Sequence, residues 1–137
     1  MTEANVLLVE DNPGDVRLVR EAFAQGPVES DLHVVWDGEA ALSFLRQTDE
    51  YVDAPRPDLV LLDLNLPKTT GEEVLAAVAA DPTLTQIPVV VLTSSDASKD
   101  VAGAYDRQAN AYVRKPIDPE AFMSRIEQIQ TFWLSTA

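Results

Sequence analysis

The sequence has 137 residues, of which 46% are hydrophobic, and this is enough apolar material for the core of one domain. Its 23 acidic and 10 basic side chains give a formal net charge of -13, so its surface field repels nucleic acids and anionic lipid headgroups. The absence of cysteine excludes disulfides, zinc–thiolate sites and thiol nucleophiles. No apolar stretch approaches the roughly 20 residues that span a bilayer, and no basic signal region precedes the first apolar run. A cytoplasmic protein is expected.

Five segments predict strands, in chain order Val6–Val9, Leu32–Trp36, Leu59–Leu62, Ile87–Leu92 and Ala111–Arg114. The first, third and fourth are apolar at consecutive positions, which is typical of strands buried on both faces of a sheet. The second and fifth mix apolar and polar positions. These two strands are therefore expected nearer the periphery.

Apolar residues recur at helical spacing between the strands and after the last one. Asp15 and Asp118 are expected in the first turn or at the cap of the first and last helices, and Gly26-Pro27 ends the first. The connection of residues 47–58 carries two prolines and four acids and is expected on the surface. Five strands alternating with five helices predict parallel strands joined by right-handed crossovers, hence a three-layer α/β sandwich in a single domain over residues 1–137.

Polar residues directly follow four of the predicted strands. The carboxyl ends of parallel strands meet at one edge of the sheet, where binding sites collect, so these groups are expected together. Converging carboxylates repel one another unless they take up protons or hold a cation, and oxygen ligands without His or Cys favour Mg²⁺ over zinc or copper. The predicted magnesium ligands are the side chains of Glu10, Asp11 and Asp63 and the backbone carbonyl of Asn65.

Asp63 is the candidate nucleophile, because a carboxylate can accept a phosphoryl group as an aspartyl phosphate. Phosphoryl transfer needs positive charge and hydrogen-bond donors around the transferred oxygens. Lys115 and the Thr93 hydroxyl are the complementary groups, and the backbone N–H groups of residue 64 and Ser94 add donors.

These residues resemble the receiver domains of two-component response regulators, and the resemblance covers essentially the whole chain. It rests on five ordered motifs: residues 7–11 (LLVED), 58–67 (DLVLLDLNLP), Gly71, 88–94 (PVVVLTS) and 109–116 (ANAYVRKP). The resemblance implies the flavodoxin-like strand order 2-1-3-4-5. It also implies that Asp63 is phosphorylated by a sensor histidine kinase.

The same resemblance implies roles for the other site residues. Asp11 and Asp63 would bind Mg²⁺ directly, and Glu10 would act mainly through water. Thr93 and Tyr112 would form the switch pair, in which the hydroxyl moves toward the phosphoryl group and the ring turns inward. Lys115 would bridge to the acyl phosphate, and the peptide bond before Pro116 would be cis.

Within the receivers, the sequence resembles the stand-alone regulators that serve bacterial phytochromes and related kinases. Residues 10–18, the long segment before Asp58, residues 63–68 and residues 132–134 carry this resemblance, which also implies a homodimer. Phe132 and Trp133 suit either a dimer patch or a core contact of the last helix. With no output domain expected, the response would pass to a downstream protein partner or a dimer contact, and no DNA-reading element is expected.

Three alternative functions share parts of this sequence pattern. A magnesium-dependent phosphatase with an aspartate nucleophile would have a second Asp where Asn65 stands, and a cap for which this chain has no room. A flavodoxin-like electron carrier would have a phosphate cradle after its first strand, but residues 10–15 hold three acids. The third is a receiver-like interaction module that does not turn over phosphate. Against it, all five residues expected for the chemistry are present: Glu10, Asp11, Asp63, Thr93 and Lys115.

Overall fold

The structure, a computed structural model, describes residues 4–26, 28–64, 66, 70–93 and 111–134. A five-stranded sheet is covered by helices on both faces, which confirms the three-layer prediction. The strands are β1 (Ala4–Val9), β2 (Ser30–Val35), β3 (Leu59–Asp63), β4 (Val89–Thr93) and β5 (Ala111–Arg114). The helices are α1 (Pro13–Gln25), α2 (Gly38–Arg46), α3 (Gly71–Ala80) and α4 (Pro119–Leu134).

All strand pairs are parallel and the strand order is β2-β1-β3-β4-β5, as the resemblance implied. In the register of β1 and β3, Val9 lies opposite Leu62. The residues that follow, Glu10 and Asp63, therefore leave the sheet side by side. The order of strands thus brings two acids from distant parts of the chain to one edge.

Strand β1 is buried on both of its faces. Leu7 and Val9 belong to the core between the sheet and helices α2 and α3, whereas Val6 and Leu8 belong to the core on the side of α1 and α4. All four side chains are fully buried. Full burial of each such side chain contributes about 1.5–3 kcal/mol, which explains why this strand is apolar at consecutive positions.

The helix starts are determined by local polar contacts. The Asn12 side chain accepts hydrogen bonds from the backbone N–H groups of Gly14 and Asp15, so Asn12 caps α1 and Asp15 lies in its first turn. Thr70 and Glu73 form a capping box at the start of α3. The Asp118 carboxylate accepts from the N–H of Ala121 and caps α4.

Gly71 lies where α3 packs directly on the end of β3. A Cβ atom at this position would be 2.6 Å from the carbonyl oxygen of Asp63 and 2.6 Å from the Cα of Leu64. The Gly71 N–H also donates to the carbonyl of Leu64, at 3.2 Å. Only glycine allows the helix to approach the strand end so closely.

The connection between α2 and β3, expected to be an irregular loop, contains a short 3₁₀ helix, Asp49–Tyr51. The ring of Tyr51 packs against that of Phe44 in α2, with centroids 5.4 Å apart. Gln47 ends α2 in the left-handed conformation, with φ 57, and its side-chain amide donates to the carbonyl of Ala54. These contacts hold the connection against α2.

Two further expectations concern the second half of the chain. The helix expected between β4 and β5 falls in residues 94–110, outside the described residues. The Lys115–Pro116 peptide bond is trans in this structure, whereas the resemblance implied a cis bond at Pro116. That expectation came from the resemblance alone, and trans is the isomer that bonds before proline favour, by about 0.5–1 kcal/mol.

Among the helices that the structure describes, none is long and apolar enough to cross a membrane.

Candidate functional site

Three carboxylates meet at the carboxyl edge of the sheet. Glu10 and Asp11 directly follow β1, and Asp63 is the last residue of β3. One carboxylate oxygen from each lies within 4.8 Å of the others. Glu10 and Asp63 are buried, at 1% and 5% exposure, and Asp11 is exposed. The cluster therefore has a buried floor and one side open to solvent.

The ammonium group of Lys115 enters this cluster from the loop after β5. Its Nζ lies 2.6 Å from Oε2 of Glu10 and 3.8 Å from Oδ2 of Asp63. It also lies 3.0 Å from Oδ2 of Asp15, in the first turn of α1. The other carboxylate oxygen of Glu10 accepts the backbone N–H of Asn12, at 3.3 Å. Each oxygen of the buried Glu10 thus has a partner.

Burial and mutual charge shift the pKa values of this pair. Burial raises the pKa of Glu10 from 4.5 to about 7; the hydrogen bond and charge of Lys115 oppose this, and the charge of Asp63 adds to it. Burial also disfavours the ammonium of Lys115. Its hydrogen bond to Glu10 and the charges of Glu10 and Asp63 outweigh that effect, so the pKa of Lys115 is raised. Lys115 therefore stays positively charged beside Asp63.

The donor set of the site fits a divalent cation. Three carboxylates converge here, and in the described part of the chain one ammonium group, that of Lys115, pairs with two of them, so negative charge is in excess. The ligand atoms are all oxygens, which hard cations prefer. A cation here would lie beside the Asp63 carboxylate, where both it and Lys115 could attract a phosphate-like anion.

The other predicted site residues follow neighbouring strands. Thr93 is the last residue of β4, and its backbone pairs with that of Arg114, directly before Lys115. Its hydroxyl, together with Asn65 and Ser94, lies outside the described part of the chain. Tyr112 lies in β5 with its side chain half-buried against the core on the α2 and α3 side. Pro116 is half-buried, directly after Lys115.

Sequence reasoning missed the contact of Asp15 with Lys115. We expected Asp15 only as an acid in the first turn or at the cap of α1, and its carboxylate instead binds an ammonium from 100 residues further along. A signal for it existed, because α1 starts directly after Glu10 and Asp11. Acids in its first turn therefore lie near the same edge of the sheet.

A parallel sheet of this order, with an acidic cluster and a lysine at its carboxyl edge, is the arrangement expected of a receiver domain. Residues 6–127 match the response regulator receiver domain family, and the chain belongs to this family. The protein is accordingly a signalling protein of two-component systems. Membership of this family favours the receiver prediction over the electron-carrier and phosphatase alternatives.

The chain is similar over nearly its full length to phytochrome-associated response regulators. It is 44% identical to response regulator Rcp1 of Synechocystis sp., over 96% of this chain and 89% of that protein. The crystal structure of the phosphorylated cyanobacterial phytochrome response regulator RcpA has 46% identity and a TM-score of 0.92, covering 99% of this chain and 97% of that one. The Mn²⁺-bound form of Rcp1 has 43% identity and a TM-score of 0.90, covering 98% and 96% of the two chains.

Proposed function

We propose that Asp63 accepts a phosphoryl group from a sensor histidine kinase and that the aspartyl phosphate changes which partner the protein binds. The supporting observation is the environment of the Asp63 carboxylate. It lies at the end of β3, clustered with two other carboxylates and 3.8 Å from the ammonium of Lys115. The chain belongs to the receiver domain family, and Lys115 together with a cation held by the carboxylates would attract a phosphoryl group to Asp63.

In the proposed reaction, a carboxylate oxygen of Asp63 attacks the phosphorus of a phosphohistidine. The oxygen–phosphorus bond forms as the phosphorus–nitrogen bond breaks, and the imidazole leaves as a neutral ring because its other nitrogen carries a proton taken from solvent. Lys115 offers its ammonium to one phosphoryl oxygen, and Thr93 and the N–H groups of residue 64 and Ser94 are proposed for the others. Little acid–base work is required, so positioning and positive charge are the main contributions of the protein.

We propose Mg²⁺ as the bound ion. It would supply positive charge at the transferring phosphoryl group and orient that group for in-line attack. Asp11 and Asp63 are proposed as direct ligands, together with the backbone carbonyl of Asn65. Both oxygens of Glu10 already accept hydrogen bonds, from Lys115 and from the N–H of Asn12, which supports its action through water. The similar protein Rcp1 has been crystallised with Mn²⁺, an ion that shares the oxygen preference of Mg²⁺.

We propose a phytochrome-type histidine kinase as the phosphoryl donor, because the similar protein RcpA is a cyanobacterial phytochrome response regulator. The histidine of such a kinase is phosphorylated by ATP, so the reaction is proposed to occur in the cytoplasm. The whole of residues 1–137 is proposed to act as one receiver domain. The phosphorylated domain is proposed to bind a downstream protein or to form a homodimer, and Thr93 and Tyr112 are proposed to couple phosphorylation to that binding. The net charge of -13 argues against nucleic acid as a partner.

Phosphorylation by acetyl phosphate with Mg²⁺ tests the acceptor. We expect one acid-stable, base-labile phosphoryl group per chain, and none in Asp63→Asn. The matched control is Asp53→Asn, which makes the same chemical change on the exposed connection between α2 and β3 and should label normally. Label retained in Asp63→Asn would refute the assignment, and no label in the wild-type chain would favour an interaction module.

The coupling of phosphorylation to output needs a separate experiment. Beryllofluoride with Mg²⁺ mimics the phosphoryl group, and sedimentation compares the trapped and free proteins. We expect a change in self-association or in binding to the kinase, and we expect Thr93→Ala and Tyr112→Ala to lose it while still being phosphorylated. Variants that retained the full change would show that these two residues do not carry the switch.

A further inference from the structure

We propose that Asp15 is a positioning residue that restrains Lys115 and sets how much of its positive charge is available to a phosphoryl group on Asp63. This inference rests on the proposed function of Asp63. Its basis is that the ammonium of Lys115 lies closer to Asp15, at 3.0 Å, than to Asp63, at 3.8 Å. At 3.8 Å the ammonium is outside hydrogen-bonding range of the acceptor.

The position of Asp15 is held by the start of α1. Its backbone N–H donates to the side chain of Asn12, which caps the helix, so its carboxylate is directed from a fixed first turn. The side chain of Asp15 is 26% exposed and that of Lys115 is 7% exposed. A pair that is largely shielded from water is stronger than an ordinary surface ion pair. The contact therefore restrains Lys115 in the unphosphorylated protein.

Three carboxylates surround the ammonium group of Lys115: Glu10, Asp15 and, at longer range, Asp63. A phosphoryl group on Asp63 brings further negative oxygens that compete for the same ammonium. Each carboxylate already bound to Lys115 weakens its attraction for those oxygens. Asp15 is the partner that can be removed without altering the metal cluster, since that cluster consists of Glu10, Asp11 and Asp63.

Asp15→Asn removes this charge while keeping the size of the side chain. We expect it to bind beryllofluoride, with Mg²⁺ held saturating, about fivefold more tightly than the wild-type chain by calorimetry. The matched control is Glu21→Gln, which removes one charge from the same helix but at an exposed side chain paired with Arg17. Its affinity should stay within about twofold of wild type, since an exposed pair contributes little.

Two further measurements separate positioning from a general effect of charge. In a Lys115→Met background, Asp15→Asn should no longer change the affinity, because its action passes through the ammonium. An effect that persisted in that background would overturn the proposal. In the free protein, the ¹⁵Nζ resonance of Lys115 should shift in Asp15→Asn and stay unchanged in Glu21→Gln.

The resonance measurement needs no phosphoryl analogue, so it remains informative if the proposed function fails. A wild-type chain that did not bind beryllofluoride would count against Asp63 as acceptor. An unshifted Lys115 resonance in Asp15→Asn would instead overturn the role of Asp15. Thermal unfolding of each variant checks that the fold is retained.

Discussion

Replacing Gly71 with alanine tests whether Asp63, the proposed phosphoryl acceptor, is held in place by the start of α3. The new Cβ would lie 2.6 Å from both the carbonyl oxygen of Asp63 and the Cα of Leu64. Unstrained contacts of a carbon atom need about 3.5 Å, so α3 and the end of β3 would have to separate by about 1 Å. Both atoms belong to the backbone and cannot move aside as the end of a side chain could.

Two effects of opposite sign set the size of the change. Overpacking of this kind costs about 1–3 kcal/mol, and the better helix propensity of alanine recovers at most about 1 kcal/mol. We therefore expect Gly71→Ala to lower the free energy of unfolding by about 1–2 kcal/mol. A displacement of about 1 Å at the acceptor should also slow labelling by acetyl phosphate, by up to about 100-fold.

Urea denaturation and the initial rate of labelling are the two measurements. The matched control is Gly14→Ala, also in the first turn of a helix, where the nearest atom to the new Cβ is the side-chain oxygen of Asn12 at 3.2 Å. We expect that variant to stay within about 0.5 kcal/mol of wild type, because this contact needs only a small adjustment. If Gly71→Ala were as stable and as fast as Gly14→Ala, the close packing of α3 on the acceptor would be refuted.

Three further predictions concern the charges of the site. Lys115→Met leaves the buried carboxylates of Glu10 and Asp63 without their positively charged partner. Urea denaturation should therefore show a free energy of unfolding lower by about 3 kcal/mol at pH 8. The loss should be smaller at pH 6, where Glu10 takes up a proton. Because the pKa of Glu10 is raised from 4.5 to about 7 in the folded state, the metal-free protein should lose stability as pH rises from about 5 to 7, and Glu10→Gln should flatten that profile. Mg²⁺ at 100 times its dissociation constant should raise the free energy of unfolding by about 2.7 kcal/mol, as measured by thermal melting. A chelator should reverse this stabilisation, and Asp11→Asn should make it smaller. The first prediction would be contradicted by a urea midpoint that Lys115→Met leaves unchanged. The second would be contradicted by a pH profile that is the same in Glu10→Gln, and the third by melting that does not respond to Mg²⁺.

The architecture was predictable from the sequence because it depends on local patterns. Residues 6–9 and 59–62 are apolar at consecutive positions, as a strand covered by helices on both faces requires. Polar residues follow directly where those strands end, so Glu10, Asp11 and Asp63 could be placed at the same edge of a parallel sheet. The strand order itself came from the resemblance, since no local pattern specifies which strands are neighbours.

What only the tertiary structure decided are contacts between distant segments and the solvation of charged groups. The ammonium of Lys115 has Glu10 and Asp15 as its nearest partners among the described residues, and its distance to each is set by how segments about 100 residues apart pack together. The pKa of Glu10 depends on how completely the folded chain excludes water from it. The sequence by itself thus determined which residues lie at the site. The packing of the whole chain determined which charged groups pair and how far burial shifts their pKa values.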